Sequence, residues 1–203
     1  MKVLVACEYS GIVRDAFLDA GHDAYSCDIL PTESAHADGQ GRHFQMDIFD
    51  CIDECVKLGW LPDLMIAHPP CTHLSVSGQW CYSKGFKPLY KKFEALAFVD
   101  RLMRVDIPKI CIENPVSIIS GQIRKSDQTI NPFQFGHTEQ KRTCLWLKNL
   151  PLLEPTENVY DEMMLLDKKV RNRVLWLGSN KGKERSIFFK GIAQAMAEQW
   201  GVE

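Results

Sequence analysis

No apolar run in the 203-residue chain approaches the roughly 20 residues that a membrane-spanning helix needs. The N-terminus reaches a carboxylate at Glu8, too early for a secretory leader. Neither sign of charge dominates. The 24 Lys and Arg residues stand against 26 Asp and Glu, a net −2. That balance excludes a histone-like coat for nucleic acid and still permits a local basic patch. There is no internal repeat and no low-complexity tract. Eight cysteines are present without a paired C-x-x-C pattern. Three of them, Cys7, Cys111 and Cys144, lie in apolar runs, so free thiols in a reducing cytoplasm are expected rather than a disulfide framework. His68, Cys71, His73 and Cys81 carry ligand atoms but do not reproduce a zinc spacing, and no metal is expected. Hydrophobic residues at 45% and charged residues at 25% are ordinary for one globular domain.

The pattern along the chain alternates β and α. Residues 2–6 form a short apolar run that Glu8-Tyr9-Ser10-Gly11 interrupts. Ile12, Val13, Ala16, Phe17 and Ala20 then recur at helical spacing. Gly21-His22 ends that helix, and residues 24–29 read as a second strand with Asp28 at its carboxyl end. This is the opening unit of a parallel α/β sheet. Residues 31–42 read as a loop, 44–49 as a short apolar stretch carrying Asp47, and 51–59 as a short helix. Residues 64–67 are a buried strand cut by His68-Pro69-Pro70, because two prolines cannot continue a central strand. Residues 72–89 are expected to be loop, 90–105 an amphipathic helix, and 107–112 a strand leading into Glu113-Asn114-Pro115. A loop over 120–136, a β-prone run over 143–147 and a weakly patterned segment over 154–186 follow. A last helix over 188–200 presents Ile192, Ala195, Met196 and Trp200 on one face.

In such sheets ligands sit outside the carboxyl ends of the strands, which directs attention to residues 8–11, Asp28, Asp47, Cys71 and Glu113. Gly11 after the first strand suits a ligand at a helix N-terminus, although without a full G-x-G-x-x-G it also reads as a plain turn glycine. Asp28 suits ribose hydroxyls or a helix cap. Cys71 follows Pro69-Pro70 directly, so its thiol is held rigidly at a strand mouth, as a nucleophile must be. Glu113 holds the equivalent place on a later strand, where burial would make it a proton donor or hydrogen-bond partner.

The order of these features resembles the cytosine-C5 DNA methyltransferases: a glycine turn, a strand-two acid, a later Asp, Pro-Pro-Cys, Glu-Asn, then Gln140-Lys141-Arg142. His68-Pro69-Pro70-Cys71-Thr72-His73-Leu74, Cys144-Leu145-Trp146-Leu147-Lys148 and residues 193–200 are similar to the short phage and prophage members. The resemblance implies a Rossmann-like fold, a mostly parallel sheet with helices on both faces, and S-adenosylmethionine as methyl donor in the cytoplasm of a bacterial host. It implies that Cys71 attacks C6 of the pyrimidine, that Glu113 holds the N3 edge, and that Arg142 steadies base and thiolate. Asp28 would take the ribose and Asp47 the adenine neighbourhood. Glu8, Tyr9, Ser10, Gly11, Ile29 and Pro69 would line the cofactor, and Pro70, Asn114 and Gln140 the substrate. Covalent attack is needed because C5 of cytosine is a poor nucleophile until a bond at C6 makes it enamine-like.

The chain departs from the family pattern in four places. Tyr9 stands where the first motif has one of its two glycines. Cys144 replaces a second arginine. Gly191-Ile192 stands for the last Gly-Asn, and Glu113-Asn114-Pro115 for Glu-Asn-Val. The family's sizeable target-recognition domain is also missing. One catalytic domain over 1–203 is expected, with a reduced basic segment over 148–187 in its place. That segment carries Lys168, Lys169, Arg171, Arg173, Lys181, Lys183 and Arg185, with Lys169, Arg171 and Arg173 expected on DNA phosphates, although a solvated charged loop fits as well. A base in duplex DNA must be flipped out to reach a thiol. So small a recognition segment implies weak binding, a very short site, or a second copy or partner subunit that supplies recognition. A pyrimidine C5-modifying enzyme acting on nucleotides or single strands, or a decayed methyltransferase fold that only binds, remain the alternatives.

Overall fold

The computed structural model describes residues 1–177 and 181–202. The Lys183 side chain, one of the basic groups expected on DNA, lies outside the described residues. Seven strands form one sheet: β1 (Lys2–Ala6), β2 (Asp23–Asp28), β3 (His43–Gln45), β4 (Leu64–Ala67), β5 (Lys109–Pro115), β6 (Gln128–Ile130) and β7 (Thr143–Lys148), in the order β3-β2-β1-β4-β5-β7-β6. The first five are parallel, and β7 runs antiparallel between β5 and β6. The helices are α1 (Ile12–Asp19), α2 (Ile48–Lys57), α3 (Trp80–Ser83), α4 (Leu89–Met103), α5 (Ile119–Gln122), α6 (Tyr160–Leu165), α7 (Lys168–Arg171), α8 (Arg173–Trp176), α9 (Gly182–Ser186) and α10 (Lys190–Trp200).

The central strands are apolar throughout because helices cover both faces of the sheet. Val3, Val5, Leu64, Ile66, Cys111 and Leu145 point to one side, where Phe17 of α1 and Ile192, Met196 and Trp200 of α10 pack on them. Leu4, Ala6, Met65, Ala67, Ile110, Ile112 and Trp146 point to the other, against Cys51 and Cys55 of α2 and Val99 and Leu102 of α4. The doubly covered α/β sheet expected from the alternation is thus the observed fold.

Three stretches differ from the sequence reading. Residues 72–89 hold two 3₁₀ turns and α3 rather than unbroken loop. The expected loop over 120–136 contains β6. Gln128 fixes that three-residue strand by exchanging two hydrogen bonds with the Leu153 main chain, at 2.7 and 2.8 Å, a long-range contact without a local sequence signal. The described residues of 154–186 include the short helices α6 to α9. The chain runs to β2 and β3 on one side of β1 and to β4 and β5 on the other, so the switch point lies between β1 and β4. Ligand crevices open at the carboxyl ends of such a pair, and here those ends lead into Glu8 and into His68-Pro69-Pro70-Cys71.

Candidate active site

The β1 side of the crevice is acidic. Glu8 is buried at 4% exposure. Its carboxyl accepts the backbone N–H groups of Val13 at 2.7 Å and Arg14 at 3.2 Å, so it occupies the positive N-terminal end of α1. Burial raises its pKa, against the opposing pull of His68, the two N–H groups and Arg14. Ser10 Oγ lies 3.4 Å from the same carboxyl, and Tyr9 hydroxyl 3.0 Å from Ser186 Oγ. Asp28 accepts the Leu30 N–H at 2.9 Å, and Asp47 caps α2 through the Phe49 N–H at 2.8 Å. Both acids act on Cys7, whose thiol is pushed up first by burial and then by Asp28, Cys27 and Asp47. Ile29 beside them is 72% exposed.

This chemistry separates two kinds of nucleotide ligand. A helix N-terminus attracts phosphate when its N–H groups are open; here Glu8 takes them and two more carboxyls stand near. The seat disfavours a pyrophosphate. It favours a ligand that carries positive charge and no phosphate.

Gly11 has φ +75°, and a Cβ there would run into Ser34 and the Arg14 guanidinium. Arg14 is fully buried, bonded to Asp15 at 2.7 Å and to Ser26 at 3.2 Å, while Ser34 Oγ donates to Asp15 at 2.6 Å. Gly11 therefore lets the segment after β2 close down on α1.

The β4 side carries the nucleophile candidate. Pro69 is buried, Pro70 exposed, and Cys71 opens an exposed 3₁₀ turn whose backbone is closed by Leu74 and Ser75 N–H groups on the Cys71 carbonyl. Asn114, at 1% exposure, donates from Nδ2 to the Pro69 carbonyl at 2.8 Å. His68 Nδ1 lies 3.0 Å from Glu113 Oε2. Those two bonds fix the Pro-Pro-Cys turn to the end of β5. Glu113 and Asn114 lie inside β5, opposite Leu145 and Cys144 of β7, rather than beyond the strand.

The electrostatics of the pair are opposed. Burial raises the Cys71 thiol and the Glu113 carboxylate raises it further, while Lys141 and Arg185 pull it down. The turn is open to solvent, but the sulfur is hemmed in enough for desolvation to be the largest effect. Burial also pushes Glu113 up, yet the His68 hydrogen bond, the His68 charge and Lys141 together hold it below the usual carboxyl value.

Among the residues singled out in the sequence, Cys71, Glu113, Asn114, Pro69 and Pro70 come together, as do Glu8, Asp28 and Asp47 around β1. Arg142 is exposed, and the charge of Lys141 acts on Cys71 and Glu113. Gln140 is tied to the basic segment through its N–H on the Arg171 carbonyl, 2.7 Å. Arg173 is paired with Glu139 at 3.1 Å, the Arg171 guanidinium bonds the Met164 carbonyl at 3.3 Å, and Lys169 lies over the Trp176 ring. His68, Lys141 and Arg185 appear in the sequence as a ligand-atom candidate, a motif neighbour of Arg142 and part of a basic run, but nothing there gives them a role at Cys71 or Glu113, which the structure does. The segment after α9 also reaches the site: Phe188 packs on the His68 ring at 4.7 Å, and Lys141 Nζ donates to the Arg185 carbonyl at 3.3 Å.

No protein-family model matches the chain, and no curated protein matches it. Solved structures do. A candidate DNA modification methyltransferase encoded within a prophage of E. coli aligns at TM-score 0.52 and 16% identity, over 78% of this chain and 51% of that one. A methyltransferase of Entamoeba histolytica, EhMeth, aligns at TM-score 0.47 and 15% identity, over 78% of this chain and 57% of that one. The chain spans about half the length of the structures it matches. At this identity the likeness establishes the fold.

Proposed function

We propose that this chain is a methyltransferase that moves a methyl group from S-adenosylmethionine to C5 of cytosine in DNA, with Cys71 as the covalent nucleophile. One observation carries the proposal. The exposed Cys71 turn and the buried Glu113 are held to one another by the Asn114–Pro69 and His68–Glu113 bonds at the switch point of the sheet. The acidic, phosphate-excluding seat at β1 supports S-adenosylmethionine as the neighbouring ligand. That ligand supplies an electrophilic methyl carbon on sulfur.

The protein's own groups do the rest. Lys141 and Arg185 favour the thiolate of Cys71 against burial and Glu113. The thiolate adds to C6, which places the displaced electron pair at C5. Glu113 faces the N3 edge, and the proton shared between His68 and Glu113 neutralises the ring as the C6–S bond forms. After methylation, with S-adenosylhomocysteine as the leaving group, loss of the C5 proton to solvent expels the Cys71 thiolate, and N3 returns its proton to the His68–Glu113 pair as the aromatic ring is restored. Asn114 positions the turn through its bond to the Pro69 carbonyl.

An oligonucleotide containing 5-fluorocytosine tests this reading, because fluorine blocks the final elimination. With S-adenosylmethionine present, a stable adduct on the Cys71 peptide is expected, and none with Cys71→Ser. Labelled transfer to duplex, single strand and deoxycytidine monophosphate separates the substrates. Transfer to the mononucleotide alone would replace DNA by a nucleotide. Cofactor binding without transfer or adduct would leave a binding protein.

A further inference from the structure

From Leu64 to Phe93 the chain contains no Asp or Glu, but it carries Lys84, Lys87, Lys91 and Lys92. The second half of that stretch is also where large apolar side chains face water. Phe86 is 71% exposed and Trp80 58%, and Leu89, Tyr90 and Phe93 are more than half exposed. Single exposed apolar residues are ordinary, whereas several gathered on one short segment mark a contact surface. Trp80 and Phe86 meet edge to face at 5.8 Å. Leu89, Tyr90 and Phe93 open α4, where i, i+3 and i, i+4 spacing puts them on neighbouring positions of one face. Lys91 lies 5.1 Å over the Tyr90 ring, and its ammonium pairs with Glu94. Lys84, Lys87 and Lys92 enter none of the described ion pairs.

This surface is fastened to the Cys71 turn. Lys87 Nζ donates to the Thr72 carbonyl at 3.0 Å, Tyr82 hydroxyl and His73 Nδ1 lie 2.6 Å apart, and Gln79 Nε2 donates to the His73 carbonyl at 3.2 Å. The surface is thus anchored on Thr72 and His73, the two residues that follow Cys71.

We propose that Trp80, Phe86, Tyr90 and Phe93, with Lys84, Lys87, Lys91 and Lys92, form a binding platform for single-stranded DNA flanking the reactive pyrimidine. Aromatic faces with interleaved cations match unpaired bases joined by phosphates: the exposed rings offer stacking faces to bases, and the ammonium groups of Lys84 and Lys92, outside the described ion pairs, meet phosphates. A duplex offers no free base faces, since its bases already stack on each other. Positive charge over the whole stretch rules against an acidic-poor, apolar partner as the natural occupant. The platform rests on the methyltransferase reading for its substrate, but its binding is measured apart from chemistry.

Fluorescence anisotropy of a labelled mixed-sequence strand of about 12 nucleotides, within the site sizes of such platforms, is read with the full chain and with Cys71→Ser. Both are expected to bind the strand more tightly than the same sequence as duplex. Trp80→Ala with Phe86→Ala is expected to raise the Kd at least roughly 30-fold, from about 1–3 kcal/mol per stacked base. Lys84→Ala with Lys92→Ala is expected to flatten the salt dependence by about 0.7 in logarithmic slope per lysine. Unchanged affinity and slope in both double variants would overturn the platform, and so would binding to phosphatidylglycerol vesicles without binding to the strand. Variant-sensitive strand binding in a protein that forms no 5-fluorocytosine adduct would keep the platform and overturn the C5 reaction.

Discussion

Cys71 sits between two opposed charge effects, and this gives a two-signed prediction. Glu113 raises the thiol and Lys141 lowers it, on top of the larger effect of burial. Alkylation of the Cys71 peptide by iodoacetamide, followed by mass spectrometry across pH, reports the thiolate fraction. Glu113→Gln should move the rise in rate to lower pH, and Lys141→Ala to higher pH. A shift of the same sign in both variants would show that these charges do not govern the sulfur. At this scale the sequence exposes part of the site. Two prolines before a cysteine, and Glu-Asn at a strand end, are local patterns. His68 and Glu113, 45 residues apart, meet only because β4 and β5 are neighbours, and that pairing is not written in either segment.

Close packing surrounds the start of α10. A Cβ on Gly191 would overlap the Phe135 carbonyl oxygen and approach His137 Nε2. Gly191→Ala should therefore destabilise the protein by about 1–3 kcal/mol, the usual cost of overpacking, read as a lowered urea midpoint at unchanged slope. The Gly191 N–H donates to His137 Nε2 at 2.9 Å, which requires that nitrogen to be unprotonated. Burial lowers the His137 pKa from 6.5. A depressed folded pKa means that the unfolded chain takes up the proton first. The contribution of His137 is therefore complete above about pH 6.5 and lost as pH falls through the folded value. Thermal melts between neutral and mildly acidic pH should show a fall in Tm that His137→Phe reduces; an equal fall in both proteins would assign the effect elsewhere. The final helix was legible because its apolar face repeats every three to four residues. The need for glycine at its start was not, since the obstructing atoms belong to residues 135 and 137.

The whole molecule is one sheet with a core on each face, and the two cores share every central strand. Trp200 fills one core and Trp146 the other, each 1% exposed. Trp200→Ala and Trp146→Ala should each cost about 3–5 kcal/mol. Because the sheet couples both faces, circular dichroism and fluorescence melts of each variant should coincide; separate transitions would show that the faces unfold independently. No helix among the described residues is long and apolar enough to cross a membrane. The alternation of apolar strands and amphipathic helices was enough to specify a doubly covered α/β sheet, because burial of both faces forces that pattern on the strands. It also named the strand ends where chemistry belongs. Tertiary structure alone decided that Glu8 takes the N–H groups at the α1 N-terminus, that the charge of Lys141 acts on Cys71, and that the aromatic rings after Cys71 stay in water. Those outcomes depend on which distant strands become neighbours and which side chains then compete for the same space, quantities that no local window of sequence contains.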